Sequence, residues 1–355
     1  MPLSLMAANF SLFLPGPHPR SLMPRVRCAL GACARWHGRR RFCLVLLFIA
    51  LSILPAAAQD THLIVIAGVG GDDEHSTRFH KWASAVVDSA KTRGVAPANV
   101  VYLGERPEAD PAHVNARATK ENVTKAFEDA ARRARPADEL FVLLIGHGSF
   151  DGRAGAFNLP GPDLSAADYA TLLDLFKTQH ITFVNTASAS GAFLQVLAGP
   201  ARTIVTATKT GGERNETRFP EFFVEALDGD TADRDRNGRV SVQEAYDYAL
   251  AKVKDAYEKE GHILTEHATL DDGNAGKFAA TQYLAPRGSR VSAGAAADPA
   301  MRALLEQRDA LEEQVSQLRL KKDSMDAARY EQELERLLTD LALKTRAIRD
   351  LEAKK

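Results

Sequence analysis

Cysteine is nearly missing from this chain: three occur in 355 residues, at Cys28, Cys33 and Cys43. Everything after position 43 must therefore be stable without a disulfide, although an oxidising compartment would favour one. Acidic residues are missing from the first 58 positions, which carry seven arginines instead (Arg20, Arg25, Arg27, Arg35, Arg39, Arg40, Arg41). A long apolar run is missing too. The core from Phe42 to Leu54 falls short of the ~20 residues a comfortable membrane span needs. A basic segment, a short apolar core and then Pro55-Ala56-Ala57-Ala58 read as an export signal over 1–58, with a small-residue cleavage site. The expected destination is secreted or periplasmic, with membrane attachment only if the signal stays uncleaved. Arg39-Arg40-Arg41-Phe42 has the look of a twin-arginine motif, though any basic segment before an apolar core produces such matches. Translation from Met23 is a second possible start. Removing 1–58 takes away seven basic and no acidic residues, moving the formal charge from −1 to −8. Without a basic face, nucleic-acid binding is not expected.

What is present is a regular alternation of strands and helices. His62 to Ala67 is an apolar strand ending in Gly68-Val69-Gly70-Gly71. Those glycines could suggest a dinucleotide loop, but Asp72-Asp73-Glu74 would put carboxylates where a pyrophosphate should sit. A helix is expected from about Ser76 to Arg93, with Phe79, Trp82, Ala83, Val86, Val87 and Ala90 on one stripe. Asn99 to Leu103 is a second strand, and Thr119-Lys120-Glu121-Asn122 opens a helix that turns Val123, Ala126, Phe127 and Ala130 inward. Leu140 to Ile145 is an unbroken apolar run, as in a strand buried on both faces. It stops at Gly146-His147-Gly148-Ser149. A helix capped by Ser165 carries Tyr169, Leu172, Leu173 and Phe176. Ile181 to Val184 is the next strand, stopping at Asn185-Thr186-Ala187-Ser188-Ala189-Ser190-Gly191, followed by a helix over Phe193 to Leu197. Arg202 to Thr208 is a fifth strand. The expected fold class is α/β in three layers, a mostly parallel sheet covered on both faces over 59–285. In such sheets chemistry gathers beyond the carboxyl ends of the strands.

A strand ending in His147-Gly148-Ser149, then a strand ending in Ser188-Ala189-Ser190-Gly191, resembles the caspase-like fold, in particular the legumain-type cysteine peptidases. The similarity spans roughly Thr61 to Leu284 and is concentrated in these two turns. The resemblance implies that His147 is the catalytic histidine, that the Gly148 amide helps hold the oxyanion, and that Ser188 stands where the family has its cysteine. The family's glutamate two residues before that cysteine is Thr186 here. Arg78 looks like the arginine that lines the family's specificity pocket. Asn185 and Asn215 are further candidates for that crevice; the alternative for each is a turn-forming asparagine. The loop from Gly211 to Thr217 borders the substrate groove in this fold.

Serine at the cysteine position changes the chemistry. An imidazole can convert a thiol to thiolate in advance. A hydroxyl needs a base already bonded to it, usually one oriented by a carboxylate, and no convincing third member is legible. The preferred expectation is a peptidase homologue that has lost activity and binds peptide or protein. One alternative is an active Ser188–His147 endopeptidase or transpeptidase with the Gly148 and Ser188 amides as oxyanion hole. Another is a structural scaffold assembled by its tail; for His147 by itself, the alternative is an ordinary loop histidine.

Asp233 to Glu244 fits the twelve-residue EF-hand calcium loop at every ligand position. Asp233, Asp235 and Asn237 stand at one, three and five, and Gly238 at the sharp turn. Arg239 offers its carbonyl at seven, Ser241 stands at nine, and Glu244 is the bidentate ligand at twelve. Helices are expected on either side, Phe219 to Leu227 and Val242 to Lys254. Only one such loop is evident. The alternative is a solvated acidic turn. His262, His267, Asp271 and Asp272 match no standard ligand set, and 271–276 reads as a loop near the sheet edge. Residues 286–298 form a Gly, Ser and Ala-rich linker. After it, 299–355 carries two leucine-rich seams that fall out of phase across Lys321 to Asp326, the mark of a helical hairpin or of a stutter in a coiled coil. Such seams call for self-association or a protein partner.

Overall fold

The computed structural model describes residues 59–235, 239–273, 278–285, 298–320 and 325–352. The export segment, Arg236, Asn237 and Gly238 of the acidic loop, and the linker up to 297 lie outside the described residues.

Seven strands make one sheet in the order β10-β9-β8-β4-β1-β2-β3. They are β1 (Thr61–Ala67), β2 (Val100–Gly104), β3 (Ala116–Arg117), β4 (Glu139–Ile145), β8 (His180–Asn185), β9 (Arg202–Thr206) and β10 (Thr269–Asp271). Every pairing is parallel except that of β10 with β9. The remaining three, β5 (Gly148–Phe150), β6 (Gly155–Phe157) and β7 (Leu164–Ser165), form a separate antiparallel sheet directly after β4.

The apolar runs are buried on both faces because helices cover both. Leu63 and Val65 of β1 and Phe141, Leu143 and Ile145 of β4 pack with α1 (Asp73–Thr92), α5 (Phe219–Asp228) and α6 (Val242–Glu260) through Phe79, Val86, Phe223 and Val253. The alternate residues Ile64, Ile66, Leu140, Val142 and Leu144 face α2 (Lys120–Arg133), α3 (Ala166–Leu173) and α4 (Gly191–Leu197) through Val123, Phe127, Tyr169 and Phe193. Each such side chain contributes roughly 1.5–3 kcal/mol through burial. The fold is thus α/β in three layers around a mostly parallel sheet.

Helix starts follow their caps. Ser165 and Ser241 form capping boxes with Asp168 and Glu244. Helix α1 begins three residues before the expected Ser76, because the Asp72 side chain accepts the amide of His75 and caps it there. At the opposite end of the sheet, buried Asp138 accepts the amides of Asp60 and Arg135 and meets His62 Nε2 at 3.4 Å, tying β1 to β4. Asp271, expected to open a loop near the sheet edge, instead ends a short strand over 269–271 that pairs with β9 as its antiparallel edge.

The chain ends in α7 (Pro299–Leu320) and α8 (Ala327–Glu352). Met301 and Leu305 pack with Ile348, while Val315 and Leu318 pack with Leu337. Contacts between the start of one helix and the end of the other make the pair an antiparallel hairpin.

Candidate functional site

The chain runs from β1 to β2 on one side of the sheet and then crosses back to β4 on the other, so β1 and β4 diverge at a topological switch point. Gly70 follows β1 there and His147 follows β4. The next strand over, β8, is in register with β4, Leu144 opposite Asn185. The turns carrying His147 and Ser188 therefore leave the sheet side by side at one level.

The two turns touch. The Gly148 amide donates to Ser188 Oγ at 3.3 Å, and that hydroxyl lies 3.1 Å from the Gly148 carbonyl, to which it donates. A methyl group on Gly148 would come within 2.3 Å of the Ser188 carbonyl, so this position is glycine because of close approach. Ser188 is 6 % exposed. The following Ala189 has φ +55°, a left-handed backbone that costs a non-glycine residue about 1–2 kcal/mol. Its amide donates to the Glu213 carbonyl at 2.7 Å, which holds the strained turn against the loop after β9. Thr208 braces the far side, its Oγ1 accepting the Gly191 amide at 2.8 Å.

His147 points elsewhere. Its Nε2 lies 3.1 Å from the Gly70 carbonyl, an atom that only accepts, so Nε2 carries the proton. Among the described residues, no hydrogen bond joins the His147 and Ser188 side chains. The imidazole packs edge-on to Phe79 with ring centres 5.1 Å apart, and 5.0 Å from the ring of His75.

His75 was not singled out from the sequence, yet it sits in a charged cluster beside His147. Its Nδ1 meets Asp72 at 2.8 Å and its Nε2 meets Glu216 at 3.2 Å. The hydrogen bond to Asp72, joined by Glu216 and opposed by burial, raises its pKa above the ordinary histidine value. Glu216 also pairs with Arg78, whose guanidinium lies 5.7 Å over the Trp82 ring. Arg78, Trp82, Glu216, Thr217 and Tyr257 line a cavity of about 300 Å³. The spacing Asp72-x-x-His75 is a helix-cap signal that could have found one of these partners. Glu216 left no local signal.

The remaining crevice candidates are dispersed. Thr186 is fully buried and gives its hydroxyl to the Leu144 carbonyl at 2.8 Å, so it lines no open pocket here. Asn185 is 1 % exposed, with Oδ1 accepting the Ala187 amide at 3.1 Å, the turn-forming arrangement. Asn215 is exposed on the loop after β9.

In the acidic loop, Asp233, Asp235 and Glu244 each bring an oxygen within 4.8 Å of the others. Glu244 Oε1 accepts the amides of Arg234 at 3.0 Å and Asp235 at 3.3 Å, while Oε2 accepts the amide and hydroxyl of Ser241. The residue at position twelve thus closes the loop and caps α6 at once. Three hard carboxylate donors at these positions suit calcium better than a thiophilic metal. Arg239 turns its side chain inward, over the Tyr283 ring at 3.5 Å. His267 and Glu213 meet at 3.0 Å on the surface, and Asp272 accepts the amides of Phe278 and Ala279. Neither belongs to the acidic loop. No family model matches the chain, and no curated protein matches it.

Proposed function

We propose that residues 59–285 are a caspase-like domain of legumain type that binds peptide or protein without cleaving it. The strand order and the small antiparallel sheet directly after the His147 strand support the family reading, as does the meeting of the two turns. The observation that carries the loss of activity is the pair of hydrogen bonds between Ser188 and Gly148. The hydroxyl gives its proton to a backbone carbonyl, and the nearest imidazole spends its Nε2 proton on Gly70. Among the described residues no hydrogen bond joins that hydroxyl to the His147 ring, whose unprotonated Nδ1 is the nitrogen left to act as a base. The serine is therefore not engaged for activation, and the Gly148 amide meant for an oxyanion is taken.

Calcium in the 233–244 loop, export through the 1–58 segment, and self-association through the tail complete the reading. Hard oxygen donors gathered at the loop support the first. Exposed Leu338 and Leu343 on α8 support the last. The test is activity profiling of the purified protein in calcium. No fluorophosphonate labelling is expected, with selective retention of some members of a peptide library. Labelling that disappears in Ser188→Ala would replace this reading with the active dyad. A library that shows no selectivity would remove the peptide-binding half.

A further inference from the structure

The acidic loop and the helical hairpin meet through one arginine. Arg239, seventh in the loop, has a backbone carbonyl that the loop motif assigns to a cation and a side chain that serves something else. That side chain is 7 % exposed. Its guanidinium lies 3.5 Å over the Tyr283 ring and donates to the Ala285 carbonyl at 3.3 Å. It pairs with Asp309 at 3.6 Å and Glu312 at 3.8 Å, both on α7. One residue thus belongs to the loop by its main chain and to the hairpin interface by its side chain.

Two further connections run the same way. The segment leading towards the hairpin is stitched to the end of the loop, Ser241 bridging Tyr283 and the Val242 amide donating to the Gln282 carbonyl at 2.9 Å. Asp235, third in the loop, lines a cavity of about 640 Å³ together with Glu312 and Val315 of α7 and Leu338 and Leu341 of α8.

We propose that cation binding in the 233–244 loop and seating of the α7–α8 hairpin on the domain are one coupled equilibrium, with Arg239 as the shared part. The inference rests on the calcium reading above. Its sign follows from charge. Asp233, Asp235 and Glu244 in the loop stand near Asp309 and Glu312 on α7, and the buried guanidiniums between them are those of Arg239 and Arg308. A divalent cation removes two units from that acidic excess and lowers the repulsion between loop and hairpin, an effect that is large where water is excluded. It also fixes the seventh backbone position and with it the root of the Arg239 side chain. Cation therefore favours the seated hairpin, and by linkage the seated hairpin tightens the cation site by the same factor.

The experiment uses the full chain and calcium alone as the probe. Hydrogen exchange over α7 is compared in calcium and in chelator, and calcium affinity is measured by calorimetry. Calcium is expected to slow exchange of α7 amides about tenfold, and Glu244→Gln, which keeps the helix cap, is expected to abolish the effect. Arg239→Met keeps the ligand carbonyl and is expected to bind calcium about tenfold more weakly with no added protection of α7. Asp309→Asn, which breaks the same clamp from the hairpin side, is expected to match it, and serves if Arg239→Met does not fold. Calcium binding at parental affinity in these variants, with α7 exchange indifferent to calcium, overturns the coupling and leaves the calcium site standing. No calcium binding to the parent overturns the site and the coupling with it.

Discussion

Replacing Gly148 with alanine probes the contact between the two turns most directly. The new methyl carbon would stand 2.3 Å from the Ser188 carbonyl and 3.3 Å from both the Ala156 carbonyl and Ala187 Cβ. The first is a backbone atom at the end of a buried turn and cannot swing aside, so the turns must separate. Forcing them apart costs about 1–3 kcal/mol of packing. Straining the two Gly148–Ser188 hydrogen bonds adds about 1 kcal/mol. The expected loss is about 2–4 kcal/mol, read by urea unfolding followed through Trp82, the tryptophan of residues 59–355. Two other glycines calibrate the number. Gly152 has open space but φ +98°, so alanine there should cost about 1–2 kcal/mol from backbone strain alone. Gly212 has its nearest neighbour at 3.4 Å and an ordinary φ, so alanine should change stability by less than about 0.5 kcal/mol. A Gly148→Ala midpoint as close to the parent as that of Gly212→Ala would mean the turns do not meet, and the site would dissolve with them.

Further outcomes follow from other parts of the molecule. Calcium at about a hundredfold excess over its Kd should raise the melting temperature by roughly 5–10 °C, and Glu244→Gln should erase the shift; an identical shift in that variant would move the ion elsewhere. Thr208→Val keeps shape but leaves the Gly191 amide unsatisfied, with an expected cost of about 1–3 kcal/mol by chemical denaturation; a neutral result would mean another acceptor takes over. Burial raises the Asp138 carboxyl, but Arg135, the Asp60 amide and His62 outweigh it and hold it below the usual range. Its stabilisation is therefore full above the unfolded value of 3.8 and lost as pH falls through the lower folded value. Asp138→Asn should cost about 2 kcal/mol at pH 7, with the gap to the parent closing in acid; a gap that widened on acidification would reverse that sign. Burial likewise lowers His62, so folding keeps it neutral, and a second decline in stability should begin as pH falls below 6.5; an unchanged decline in His62→Gln would assign it to another group.

The strands that build the sheet centre were legible because their burial is written locally. The runs at 63–67 and 140–145 are apolar throughout, and 181–184 is interrupted by Thr182 alone, the pattern of a strand covered on both faces. The cap at Ser165 and the ligand spacing of the acidic loop are local signals too. What escaped is non-local or too short. Strands β5 to β7 have two or three residues each, fewer than a period-two pattern needs. The Arg78–Glu216 pair joins positions 138 residues apart. Thr186 looked available for a pocket because position relative to Ser188 says nothing about direction, and its hydroxyl turned back to the strand beside it. Arg239 was read for its carbonyl alone, since a loop motif fixes the main chain and leaves the side chain to the tertiary contacts.

The ends of the sheet carry a consequence of their own. β3 offers two residues and β10 three, so among the described residues neither rim presents more than a brief row of backbone groups. An extended polypeptide docking there as an extra strand would gain only a few main-chain bonds. On the peptide-binding reading proposed above, capture would then rest on side chains above the strand tips, a matter of chemistry more than of shape.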